Sequence, residues 1–181
     1  MTATIDASPA DRNPASSRVL RWFAGLLRWL WLALGLGQSV FFVLYALYSM
    51  PSPLETNALE AKMVYLSNIA RQGGELYPDW RAGPFESNFF GPLYFLAVGA
   101  TSAEAGPGHE SLFRTGRWIS FASAAATSAV VGLSLAARGD RASGIVGAIF
   151  TFGGAPLYGF SVMVRPDLAA NFLGAAGMLL C

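Results

Sequence analysis

Three stretches of this chain run for twenty residues or more without a charge, and that limits the fold before any motif is considered. Residues 29–50, 118–137 and 142–164 supply 22, 20 and 23 such residues. At 1.5 Å per residue, each is long enough as a helix to cross a hydrocarbon core of about 30 Å. In lipid every backbone N–H and C=O must find its partner within the protein, and a single segment achieves this only as a helix. A fourth apolar run, residues 168–181, has reached 14 residues where the sequence stops. With 54% hydrophobic and 13% charged residues and a mean hydropathy of +0.44, an ordinary water-soluble domain is excluded. The predicted fold is all-α, a polytopic transmembrane helix bundle with spans at about 29–50, 118–137 and 142–164 and an unfinished one at 168–181.

The arginines orient it. Arg12, Arg18, Arg21 and Arg28 precede the first span, and the "RGDR" turn (Arg138, Arg141) joins two later ones. Excess Arg/Lys marks cytoplasmic loops, which places both segments in the cytoplasm and gives a multi-pass protein with its N-terminus inside. The first run is longer than a signal-peptide core, and its end, "LYALYSMPSP", has no A-x-A-like site, so it reads as an uncleaved span. Residues 1–28 read as a cytoplasmic, disordered, arginine-containing leader. Residues 89–103 are only 15 long and open with Gly-Pro. A full crossing there would carry RGDR outside, so this piece is expected to be re-entrant or interfacial.

Residues 51–117 then form one extracytoplasmic segment. It holds seven of the eleven acids: Glu55, Glu60, Glu75, Asp79, Glu86, Glu104 and Glu110. Residues 55–72 read as a juxtamembrane amphipathic helix. Leu59, Met63, Leu66 and Ala70 recur at helical spacing, and Glu60, Ser67 and Arg71 are expected on the opposite side, facing water or a cavity. Gly73-Gly74 ends the helix. The lone Cys181 forms no internal disulfide, and the lone His109 has no nearby partner for a zinc site.

Several short motifs follow in a recognisable order: an acid on the juxtamembrane helix, "GGELYPD" at 73–79, "GPLYF" at 91–95, "RWIS" at 117–120 and "RPD" at 165–167. This order resembles the GT-C superfamily of polytopic glycosyltransferases, nearest the bacterial branch of Rgt-type, aminoarabinose and mannosyl transferases. The likeness covers about residues 54–180. It implies an enzyme of the bacterial inner membrane that transfers a sugar from a polyprenyl-phosphate donor to an extracytoplasmic lipid or glycan acceptor. Members of the family are several times longer, so the chain reads as an N-terminal portion, inactive by itself. Nucleic acid is not among the implied partners.

The chemistry of such a transfer fits the residue types present. A carboxylate takes the acceptor hydroxyl's proton, and a cation or metal offsets the charge on the leaving phosphate. Candidate catalytic residues are Glu60, Glu55 and Asp167; candidate substrate-binding residues are Tyr77, Asp79, Glu86 and Arg165. Each also has a plainer role: Asn57-x-x-Glu60 fits a capping box, and Arg165 fits a snorkelling helix anchor. No metal cluster is present, and a divalent cofactor is left open. The alternative is a small polytopic membrane protein with an assembly or transport role and no catalysis.

Overall fold

A computed structural model describes residues 14–52, 58–77, 79, 90–102, 109–154 and 163–180, with side chains for those from residue 18 onward other than Ala58. All secondary structure among them is helical: α1 (Pro14–Ser49), α2 (Ala58–Arg71), α3 (Pro92–Thr101), α4 (Glu110–Arg138), α5 (Arg141–Phe152) and α6 (Pro166–Leu180). Local chemistry sets most of the boundaries. Pro14 and Pro92 take first-turn positions, where the missing N–H costs nothing. Pro51 follows the end of α1 and disfavours helical geometry at the residue before it. Gly73 adopts φ +70°. Its N–H bonds Ala70 O, and that of Gly74 bonds Ile69 O, which closes α2 in a Schellman turn. Asp140 caps α5 by accepting from the Ser143 N–H at 2.6 Å.

Two helices are long and apolar enough to cross a membrane, α1 over Arg18–Ser49 and α4. Only 17% and 28% of their most apolar windows are buried within the chain, so much of their apolar surface faces outward. Two boundaries differ from the sequence reading. Helix α1 begins at Pro14, so residues 14–28 are helix, not disordered leader; Leu20, Leu26 and Leu27 are good helix formers, and nothing breaks the run into the apolar stretch. The run 142–164 is not one continuous helix. The Gly153 N–H bonds Ile149 O and the Gly154 N–H bonds Thr151 O, closing α5 at Phe152. At about 18 Å, α5 is shorter than a bilayer core of about 30 Å.

Contacts fix how the helices run. Gly35 of α1 lies against Ile149 and Phe150, Ser39 Oγ donates to Ile149 O at 3.2 Å, and the Phe42 ring meets Phe152 at 4.8 Å. Helices α1 and α5 are therefore parallel, with Arg28 beside Asp140 and Ser143 at one end. Helix α4 returns against α5 so closely that a Cβ on Gly144 would stand 2.7 Å from Gly132 O. Phe121 of α4 completes an aromatic cluster with Phe42 and Phe152. The main core lies at the other end, where Met63, Val64 and Leu66 of α2 pack with Tyr94, Phe95 and Val98 of α3, Leu112 of α4, and Val164. The molecule thus has an arginine end and a core end.

Candidate functional site

At the core end, one fully buried arginine collects four separate parts of the chain. Arg117 stands two turns inside α4 with no exposed surface. Its Nε donates to Glu60 Oε1 at 2.7 Å and its Nη2 to Glu60 Oε2 at 2.9 Å. Its Nη1 donates to the carbonyls of Ser49 and Ser52, at 3.1 and 2.6 Å. The Phe113 ring flanks the guanidinium at 5.4 Å. Glu60 Oε1 also accepts the Val164 N–H at 3.0 Å. A planar fork on a carboxylate is the strongest geometry an ion pair adopts, and without it both charges would be too costly to bury.

The face assignment for α2 is therefore corrected. Glu60 and Ser67 were expected on a side turned to water, but they are 1% and 0% exposed, on the same face as Met63 and Val64. Period alone cannot separate a solvated acid from an acid with a buried partner, and Arg117 supplies that partner. Ser67 resolves its burial by donating to Met63 O at 2.8 Å. Tyr65, meanwhile, is exposed.

A second layer sits on this pair. Tyr94 OH donates to Gly116 O at 3.0 Å and shares a hydrogen bond with Ser120 Oγ at 2.9 Å. Ser120 Oγ in turn accepts the Arg165 N–H at 3.1 Å. Gly116 admits Val164: a Cβ there would lie 2.7 Å from Val164 Cγ1. The "RPD" segment is thus pinned by its backbone at Val164 and Arg165, and Pro166 then opens α6. Arg165 Nε and Nη2 both donate to Asp167 Oδ2, at 2.9 and 2.7 Å. This pair is only partly covered, with 15% and 36% of the two side chains exposed. Both of its bonds use one carboxylate oxygen, so Asp167 Oδ1 takes no part in them.

Among the residues singled out from sequence, Arg165 and Asp167 pair with each other, and Glu60 is tied to the residue before them through the Val164 N–H. Tyr77 is exposed and donates to Phe90 O, tying the turn after α2 to the entry of α3. Asp79 is exposed nearby in sequence. Glu55, Glu86 and Asn57, the residue expected to cap α2, lie outside the described residues. Arg117, Tyr94 and Ser120 were missed as a connected group. Arg117 was given no role of its own, yet it sits in the RWIS motif next to a long apolar run, where an arginine needs an acid partner. Among the described residues no three His, Cys, Asp or Glu side chains converge as a metal site would require. No family profile matches the chain, and no curated protein or solved structure matches it.

Proposed function

We propose that this chain is the N-terminal part of an integral membrane glycosyltransferase that moves a sugar from a polyprenyl-phosphate donor to an extracytoplasmic acceptor. The observation that carries this reading is that the Glu60–Arg117 pair holds the Val164 N–H, next in the chain to the Arg165–Asp167 pair, at the end of the molecule opposite RGDR. The arginine end then faces the cytoplasm and the core end the outside of a bacterial inner membrane.

Within this proposal the roles are divided by burial. Glu60 spends its carboxylate on Arg117 and on the Val164 N–H, so it is the frame of the site. Asp167 is the acid with access: its partly exposed carboxylate receives the acceptor hydroxyl's proton as that oxygen attacks the sugar's anomeric carbon. Arg165 meets the leaving phosphate, which departs with the anomeric bond's electron pair. The rival reading, a membrane protein without catalysis, explains the buried pair equally well and leaves Arg165–Asp167 as a helix anchor and first-turn acid of α6; sugar transfer is what would set the two readings apart.

The test is transfer from a radiolabelled polyprenyl-phosphate sugar by membranes carrying the protein expressed from its own reading frame. Asp167→Asn should lower transfer about 10²-fold, the usual scale for removing a general base, at unchanged expression. Wild-type rates in that variant would remove Asp167 from the chemistry, and no labelled product from the wild-type protein would remove the transferase reading itself.

A further inference from the structure

The other end of the molecule carries a pattern that sugar transfer does not use. On α1, positions 18, 21, 25, 28, 32, 35, 39, 42 and 46 fall three or four apart and so form one stripe along the helix. Its upper half is packed: Gly35 and Ser39 meet Ile149 of α5, Phe42 meets Phe152, and Phe42 and Ala46 have no exposed surface. Helix α5 begins at Arg141, with Asp140 and Ser143 beside Arg28; below that point the same stripe continues as Gly25, Arg21 and Arg18, where a Cβ on Gly25 would meet nothing within 4 Å and the groove beside Arg18 and Arg21 is bordered by α1 residues. Arg138 and Arg141 lie exposed at the same end. Five arginines thus face one described acid, Asp140, whose carboxylate already accepts the Ser143 N–H.

Two grooves flank these arginines. One, of about 430 Å³, is bordered by Arg18, Arg21, Trp22, Gly25, Leu26 and Trp29. The second, of about 520 Å³, runs from Arg28 between α1 and α5 over Leu32, Ile145 and Val146. Cations at the mouth and aliphatic walls beyond suit an amphiphile with an anionic head, while a soluble anion or a nucleic acid would leave the apolar walls unused. Tryptophan beside the charges is the usual company of lipid headgroups.

We propose that the arginine stripe at the start of α1 binds the headgroup of an acidic phospholipid, with its acyl chain in the groove between α1 and α5. This rests on the membrane placement given above, not on glycosyl transfer, so it survives if that activity is disproved. The bound lipid takes the place on the stripe that α5 occupies higher up. It fixes α1 against α5 and anchors the cytoplasmic end in the anionic leaflet.

The experiment uses the chain in lipid nanodiscs, with Trp80→Phe and Trp118→Phe so that fluorescence reports only on Trp22, Trp29 and Trp31. Brominated phosphatidylglycerol in a phosphatidylcholine background should quench more strongly than brominated phosphatidylcholine at equal mole fraction. Each arginine near an anionic surface contributes about fivefold in affinity, so Arg18→Gln, Arg21→Gln and Arg28→Gln together should abolish the preference. Arg114→Gln, at the opposite end, should leave it intact, and added salt should weaken it. Equal quenching by the two lipids in the unaltered stripe, or an undiminished preference in the triple variant, would overturn the proposal. A preference that appears only after residues 2–13 are deleted would overturn it too, because the chain's own N-terminal segment would then be the occupant.

Discussion

The two ends of this molecule hold their charges in opposite ways. At the core end Arg117 and Glu60 are wholly buried, and their donors and acceptors are used by each other and by the backbone of Ser49, Ser52 and Val164. At the arginine end Arg18, Arg21, Arg28, Arg138 and Arg141 are exposed, with the apolar body of α1 continuing among them. A charge satisfied inside the fold acts as a joint; a charge left on the rim acts on whatever surrounds the protein. The same residue type therefore does structural work at one end and surface work at the other.

The largest effect that could break this contrast is at the joint. Arg117→Gln should destabilise the folded chain by about 3–5 kcal/mol, the usual consequence of leaving a buried charge without its partner, whereas Arg28→Gln should stay within about 0.5 kcal/mol. Denaturant unfolding in detergent would measure both. Comparable losses would mean that the ends are not different in kind. The contrast sharpens if Glu60→Leu with Arg117→Met recovers most of the loss, since replacing both partners removes the charge that had been stranded.

A smaller effect belongs to the helix pair that holds Glu60 and Tyr94 in place. A Cβ on Gly99 would meet Ser67 O at 2.9 Å and Arg71 N at 3.0 Å, both backbone atoms with little room to yield. Gly99→Ala should cost about 1–3 kcal/mol and speed amide exchange along α2. Gly91→Ala, with open space around it, should leave exchange there unchanged.

The smallest is a pH effect at the arginine end. The Ser143 backbone N–H, helped by the Ser143 hydroxyl and by Arg28, holds the Asp140 carboxyl below its ordinary value of 3.8. The folded state thus gives up this proton more readily than the unfolded one. The stabilisation is present above the ordinary value and is lost as pH falls through the lowered folded value. Acidification into that range should raise exchange at the first turn of α5 alone, and Asp140→Asn should make that turn indifferent to pH. Exchange rising equally at the core end would contradict the local reading.

The all-helical layout was legible because apolar runs and Pro or Gly boundaries are local signals. Pro92 and Gly73 marked their helix ends, and the charge-free runs gave α1 and α4. The end of α5 at Phe152 was not legible, because the residues beyond Gly153-Gly154 are as apolar as those before them. Glu60 was found but its direction was wrong: the helical period is satisfied by either face, and only a partner 57 residues away decides between them. Arg165 and Asp167 were each singled out from the RPD motif, but their pairing is seen only in the structure. Its link to Tyr94 and Ser120 depends on a backbone N–H that no side-chain pattern encodes.

The order in which the joint's parts leave the ribosome follows from their positions. Glu60 precedes Arg117 by 57 residues and Val164 by 104. At roughly 5–20 residues per second, the acid waits about three to eleven seconds for its arginine, and longer for Val164. The two charges can therefore neutralise each other while α5 and α6 are still being made. The acid and its arginine are thus both in place before the RPD segment is made, and that segment closes the joint last, as a latch.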